Sequence, residues 1–277
     1  SLGDCVLTTP ALSILKNSRP DICIAVVVED RFAPVFTGNP AVDAILSPSI
    51  PALRSWRPQL CLNLHGGTRS AVLTAASGAR FRAGFAHFRY PAIYNVRIPR
   101  AQQILGVDRV VHTAEHLASA MFFLGTGRQE IPRASLFAAG SGQPGPYAVI
   151  HPFASHPDKT WPAASFLAVA QHLAKDAGLE PVFIAGPRDD LSPFAAFRSV
   201  VAAPLDQIKQ LLAGASLFAG NDSGPAHMAA AFGLPVVVIF SSSDASVWHP
   251  WRTASEVLHS PAVPEVIEAL ARLKVHV

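Results

Sequence analysis

Four polar clusters in this chain stand where chemistry could be done. The richest is Asn221-Asp222-Ser223-Gly224-Pro225, with His227 close behind, set between the apolar run 216–220 and an alanine-rich stretch ending at Gly233. Ser223 or Gly224 would cap a helix there, with Pro225 at its first position, where a missing N–H costs nothing. Backbone N–H groups and the positive end of that helix would then face the rim of a sheet, a seat for an anion and above all for phosphate. Gly224 would let the backbone come close to a diphosphate. The same residues would also satisfy an ordinary capped turn, and a histidine one turn into a helix is as readily a packed ring as a ligand contact.

The segment 151–162, HPFASHPDKTWP, places Lys159 ahead of a helix beginning near Trp161-Pro162. A lysine there can reach a phosphate as a mobile point charge, and Ser155 can add a hydroxyl; a solvated lysine is the plainer alternative, and Trp161 reads as packing. The third cluster, GPRDD at 186–190, offers an acid to a ribose hydroxyl or to the start of a helix. The fourth is SLGDCVLTTPALSIL at 1–15, where Gly3-Asp4 leads into a helix whose first turn includes Pro10. Asp4 is a candidate general base if it faces a cleft; otherwise the pair is a turn.

These clusters need elements to hold them. Short apolar, β-branched runs at 22–28, 60–64, 147–153, 181–186, 216–220 and 235–240 read as buried strands. Helical patterns fall at 9–18, 163–178, 224–233 and near 264–274. Buried strands alternating with helices predict parallel sheets covered on both faces. The Gly/Pro/Ser-rich stretch 138–146 reads as a linker, giving two α/β domains, 1–141 and 142–277. In such sheets ligands sit outside the carboxyl ends of the strands, so a cleft between the two domains is the expected site.

Composition narrows the classes. Half of the 277 residues are apolar and 15% are charged, which describes a globular chain. The 22 basic and 19 acidic residues leave +3, giving no reason to expect nucleic acid and none to exclude an anionic ligand. Cys5, Cys23 and Cys61 lack metal-ligand spacing and read as buried thiols in a reducing compartment. No carboxylate cluster suggests a bound metal, and no apolar run approaches the roughly 18 residues of a membrane span. The sequence opens on Ser1 and meets Gly3-Asp4 at once, as though it began inside an element.

The four clusters, in this order, resemble the ADP-heptose:lipopolysaccharide heptosyltransferase family. LGDCVLTTPALSIL is similar to its amino-terminal motif, and FTGNPAVDAILSPS (36–49) and LNLHGGTRSAVLTAASGARFRAGF (62–85) to its middle regions. HPFASHPDKTWPAASFLAVAQHL and GNDSGPAHMAAAFGLPVVVIFSSSD resemble its two carboxy-terminal signatures. Phe153, Asn63 and the stretch FSSSD depart from the family pattern. The strand and basic residue that precede Gly-Asp in that family are absent, so the first sheet is expected without its central strand.

The resemblance implies a GT-B fold, two Rossmann-like domains facing across a cleft, acceptor side first and nucleotide-sugar side second. It also implies an inverting, metal-independent transfer of heptose from ADP-heptose to the inner core of a lipid A-core acceptor, with no cofactor. The setting implied is the cytoplasm, with peripheral contact at the cytoplasmic face of the inner membrane. Carried over by motif, Asp4 would be the base and Lys159 a phosphate contact; the acidic loop matches more loosely, with Asp189 a donor contact, and Ser155 joins them from the reading of its loop alone. Asp222, Ser223, Gly224 and His227 would form the donor-binding loop. The alternatives are a nucleotide-sugar epimerase or hydrolase of the same architecture, or a non-catalytic nucleotide-sugar-binding paralogue.

Overall fold

A computed structural model of the chain describes residues 1–138, 146–154, 156, 158 and 160–273. Ser155, Lys159 and the expected boundary at residue 142 lie outside the described residues. Two compact units are present, one of Thr8–Pro132 and one of Ser1–Leu7 with Arg133–Val277. The division falls within the first helix, α1 (Leu2–Ser18).

That helix starts well ahead of the expected position, and Pro10 lies in its interior. Ser1 Oγ donates to Asp4 Oδ2 at 2.8 Å and accepts from the Asp4 N–H at 3.4 Å. Val6, Leu7, Ala11 and Ile14 are buried at a helical spacing that spans Pro10, so packing of the apolar face outweighs the donor that proline lacks.

In the unit of residues 8–132 the next elements are β1 (Ala25–Val27), β2 (Ala44–Leu46), α2 (Ile50–Trp56), β3 (Leu60–Asn63), α3 (Thr68–Ala76), β4 (Phe81–Phe85), β5 (Val96–Ile98), α4 (Ala101–Leu105) and α5 (Thr113–Met121). Among the described residues β1 and β2 form one parallel pair, and β3, β4 and β5 form a separate parallel sheet. The apolar run at 22–28 yields only the three-residue β1, with Cys23 exposed in the connection from α1. Cys5 and Cys61 are partly buried, so the expectation of three buried thiols is corrected at Cys23 above all.

The other unit continues with β6 (Tyr147–His151), α6 (Ala163–Lys175), β7 (Glu180–Ala185), β8 (Arg198–Val201), α7 (Leu205–Ala213), β9 (Leu217–Asn221), α8 (Gly224–Phe232), β10 (Val236–Phe240), α9 (Ala245–Trp248), β11 (Ser255–His259) and α10 (Val263–Arg272). Its six strands are parallel, in the order β11-β10-β9-β6-β7-β8. Counted from β6, this is the 3-2-1-4-5-6 order of the Rossmann fold, with the direction of winding reversing between β6 and β9. Phe166, Val169, Phe183, Phe194, Leu217 and Ile239 are among the side chains of one continuous core, and Trp161 and Val266 join it. Trp161 packs edge-on against Phe166 and donates from Nε1 to the Pro261 carbonyl at 2.9 Å, the packing role expected of it.

Candidate functional site at the reversal of the six-stranded sheet

Three strands deliver their carboxyl ends side by side. Register pairs place Ile150 of β6 beside Phe183 of β7, and His151 of β6 beside Gly220 of β9. Chain leaving β6, β7 and β9 therefore converges on the crevice where an open α/β sheet binds ligands. A pocket of about 530 Å³ lies there, lined by His151 and Phe153 after β6, by Gly186 and Asp189 after β7, and by Asp222–Pro225 and His227 after β9. The amino-terminal turn of α1 and Trp248 complete the wall. The volume suits a small ligand of nucleotide size.

Helix α8 begins at this pocket. Ser223 is its N-cap, Gly224 its first residue, and Pro225 follows within the first turn. Gly233, in the left-handed conformation at φ 79°, closes the other end. The positive end of the helix macrodipole thus opens on the pocket. Gly224 has a packing reason as well: an added Cβ would lie 2.6 Å from Leu2 Cδ2. Gly224→Val would therefore push on Leu2 of α1 as well as stand in the pocket wall. Gly3 makes the matching contact, where a Cβ would lie 2.8 Å from the His227 ring.

His227 is 4% exposed, and its Nδ1 is buried without a hydrogen-bond partner. Burial holds its pKa below the usual histidine value, opposed by the charges of Asp222 and Asp4. Asp222 lines the pocket and accepts from Ser243 Oγ at 2.6 Å. Asp4 does not line it, although Ser1, Leu2 and Gly3 do; its carboxylate meets Ser1 Oγ and lies near enough for its charge to act on His227. Asp189 turns Oδ2 back to the Gly186 N–H at 2.7 Å, closing its own turn while lining the pocket.

Two residues that lie in the candidate clusters but were given no role of their own organise the site. Asn221, fully buried at the end of β9, accepts from the Trp161 N–H through Oδ1 at 3.0 Å and donates through Nδ2 to the Pro152 carbonyl at 2.8 Å. One side chain therefore fixes both ends of the loop from β6 to α6 against the start of the α8 loop. His151 places Nδ1 3.0 Å from Ser223 Oγ, and burial pushes its pKa down to about 4, with the Asp189 charge opposing. The ring is neutral at physiological pH. An asparagine next to the Asp-Ser-Gly run was the visible hint of the first role; a pairing across 72 positions had no local signal.

Residues 50–269 match the model of glycosyltransferase family 9 (heptosyltransferase). The chain belongs to that family. It is 30% identical over 292 residues to lipopolysaccharide heptosyltransferase 3 of Escherichia coli, covering 90% of this chain and 83% of that protein. The fold is shared with the family 9 glycosyl transferase of Veillonella parvula DSM 2008, at a TM-score of 0.86 and 19% identity over 99% of this chain and 94% of that one. It is shared also with the E. coli heptosyltransferase WaaC solved with ADP, at 0.81 and 19% over 99% and 97%. The protein is a glycosyltransferase of GT-B fold. Among the described residues no group of three His, Cys, Asp or Glu could hold a metal ion, and no helix is long and apolar enough to cross a membrane.

Proposed function

We propose that this family 9 glycosyltransferase moves a heptose from ADP-heptose onto the inner core of a lipopolysaccharide acceptor, with inversion and without a divalent metal. The observation that carries the reading is the start of α8 at the pocket, with the buried and unpartnered Nδ1 of His227 in its first turn. Helix N–H groups and the macrodipole offset charge on a leaving diphosphate, in a preorganised site where such dipoles count for more than in water. Ser223, Gly224 and Asp222 belong to this donor loop, Asp189 is assigned to the ribose, and Lys159 and Ser155 add donors to the phosphates. The ADP bound by WaaC and the name of the E. coli relative support the choice of donor and acceptor.

In the reaction an acceptor hydroxyl oxygen attacks the anomeric carbon as the bond from that carbon to the diphosphate oxygen breaks. ADP leaves with the bonding electrons, and Asp4 takes the hydroxyl proton. Such base assistance contributes roughly 10²–10⁴-fold. Work at the cytoplasmic face of the inner membrane follows from an acceptor that is itself a lipid.

The deciding assay measures heptose transfer from ADP-heptose to lipopolysaccharide core by the wild type and Asp4→Asn, alongside ADP binding by calorimetry. Transfer should fall roughly 10²–10⁴-fold in the variant while ADP affinity holds. Turnover within a factor of a few would remove Asp4 from the mechanism, and absence of ADP binding by the wild type would remove the donor site. Chelator should leave the rate intact; loss of activity restored by magnesium would overturn metal independence.

A further inference from the structure

Helix α8 starts at a serine that does not cap it. An N-cap hydroxyl ordinarily accepts from the backbone N–H of the second or third helical residue. In α8 the second residue is Pro225, which has no N–H, and the Ala226 N–H already donates to the Ser223 carbonyl at 3.1 Å. Ser223 sits in extended backbone, φ −159° and ψ 166°, and its side chain makes no capping bond. Its Oγ lies 3.0 Å from His151 Nδ1 instead, and both residues line the pocket.

We propose that His151 is a positioning residue whose Nδ1–H donates to Ser223 Oγ, leaving the serine hydroxyl proton to be donated to a diphosphate oxygen in the pocket. This rests on the donor site proposed above and adds the residue that sets the polarity of one of its contacts. A hydroxyl has one proton to give and two lone pairs to receive with. Were Ser223 to donate to Nδ1, it would turn only lone pairs toward the anion. With Nδ1–H as the donor, one lone pair is used and the proton is kept for the ligand. No proton changes hands, and the neutral ring acts as a fixed dipole. Asp189 is the other ionisable group whose charge acts on this ring; its Oδ2 is engaged by the Gly186 N–H. Asn221 fixes the backbone on both sides of the pair, through Pro152 after His151 and through its own position ahead of Ser223.

The test compares binding of ADP and of adenosine by the wild type, Ser223→Ala, His151→Leu and His151→Asn. An asparagine Nδ2 can stand where the imidazole Nδ1–H stands. Loss of one hydrogen bond to a charged group should lower the preference for ADP over adenosine by about tenfold or more in Ser223→Ala. His151→Leu should lower it by less, because the hydroxyl keeps its proton but loses the donor that orients it, and His151→Asn should stay near the wild type. Combining His151→Leu with Ser223→Ala in one chain should add nothing to the larger single effect. If the wild type prefers ADP and His151→Leu keeps that preference, or if His151→Asn loses as much as His151→Leu, the assignment is wrong. Because a leucine there could disturb folding, nitrogen-15 NMR of histidine-labelled wild type saturated with ADP gives an independent answer. A protonated Nδ1 on His151 supports the proposal, and a protonated Nε2 with bare Nδ1 overturns it. A wild type that binds neither ligand fails the donor-site reading instead.

Discussion

In the six-stranded sheet β9 and β10 are buried along their whole length and β6 over four of its five residues, whereas β1 and β2 have no fully buried residue and β3 has one, Asn63. Loops leaving the buried strands inherit their positions from the core, and a few side chains, Asn221 and His151, then align them. In the other unit polar side chains take a larger part around β3 and β4. Asn63 Nδ2 donates to the Tyr94 hydroxyl at 2.8 Å, while Oδ1 accepts from the N–H groups of His65 and Gly66, each at 3.0 Å. Asn95 likewise bridges Arg82 N–H and the Arg80 carbonyl. Both units pack on apolar side chains, with Phe85 of β4 and Ile98 of β5 fully buried, and around β3 and β4 the hydrogen bonds of Asn63 and Asn95 add to that packing.

The contrast breaks most readily at a core ring. Phe183 is fully buried and stacked on Phe194 at 4.3 Å; Phe183→Ala should cost about 3–5 kcal/mol, read from denaturant unfolding. A cost below about 1 kcal/mol would mean that burial does not dominate this sheet. The next largest effect is expected at Asn63→Leu, which orphans Tyr94 and two backbone donors at a buried position and should cost about 1–3 kcal/mol. A neutral outcome there would deny the polar scaffold its role.

Acid sharpens the comparison further. His116 stacks on Phe85 at 4.1 Å, and its pKa is pushed down to about 4 by burial and by His87. An unfolded histidine takes up a proton near pH 6.5 and the folded one does not until about 4, so stability falls as pH drops through that window. His116→Phe keeps the stack and should make the loss between pH 6.5 and 4 shallower in a pH series of melting temperatures. His151 has the same sign in the other unit, so part of the slope should survive; an unchanged slope would clear His116 of it. The smallest effect is expected at Glu115, whose pKa is lowered by its bonds to Arg109 and, after a desolvation cost, to the His112 N–H. Its contribution is present above the ordinary carboxylate range and lost as pH falls through the depressed folded value. Glu115→Gln should therefore destabilise by no more than about 1 kcal/mol near neutral pH and by nothing in strong acid.

These differences also decided what the sequence could reveal. The runs that became β6, β7, β9 and β10 lie within a residue or two of the strands because strands buried on both faces are apolar at every position. β4, β5 and β8 carry Arg82, Arg97 and Arg198 within three to five residues, and no apolar run marks them. The start of α1 was hidden by Pro10, which reads as a first-turn residue but sits in the interior. The loops after β6, β7 and β9 were legible as a site because they follow buried strands. The Asn221 clamp, the His151–Ser223 pair and the seat of Leu2 against Gly224 join residues far apart in sequence, and periodicity carries no information about such pairs.

The clamp has a consequence for motion. The Trp161 amide stands at the mouth of α6, where N–H groups ordinarily exchange with solvent by fraying, yet its acceptor is the carbonyl oxygen of a fully buried side chain on β9. To exchange, it must wait until the end of β9 lets go of Asn221. Its exchange rate should therefore follow the opening of the central sheet rather than local fraying, which makes one loop amide a gauge of whether the floor of the pocket is intact.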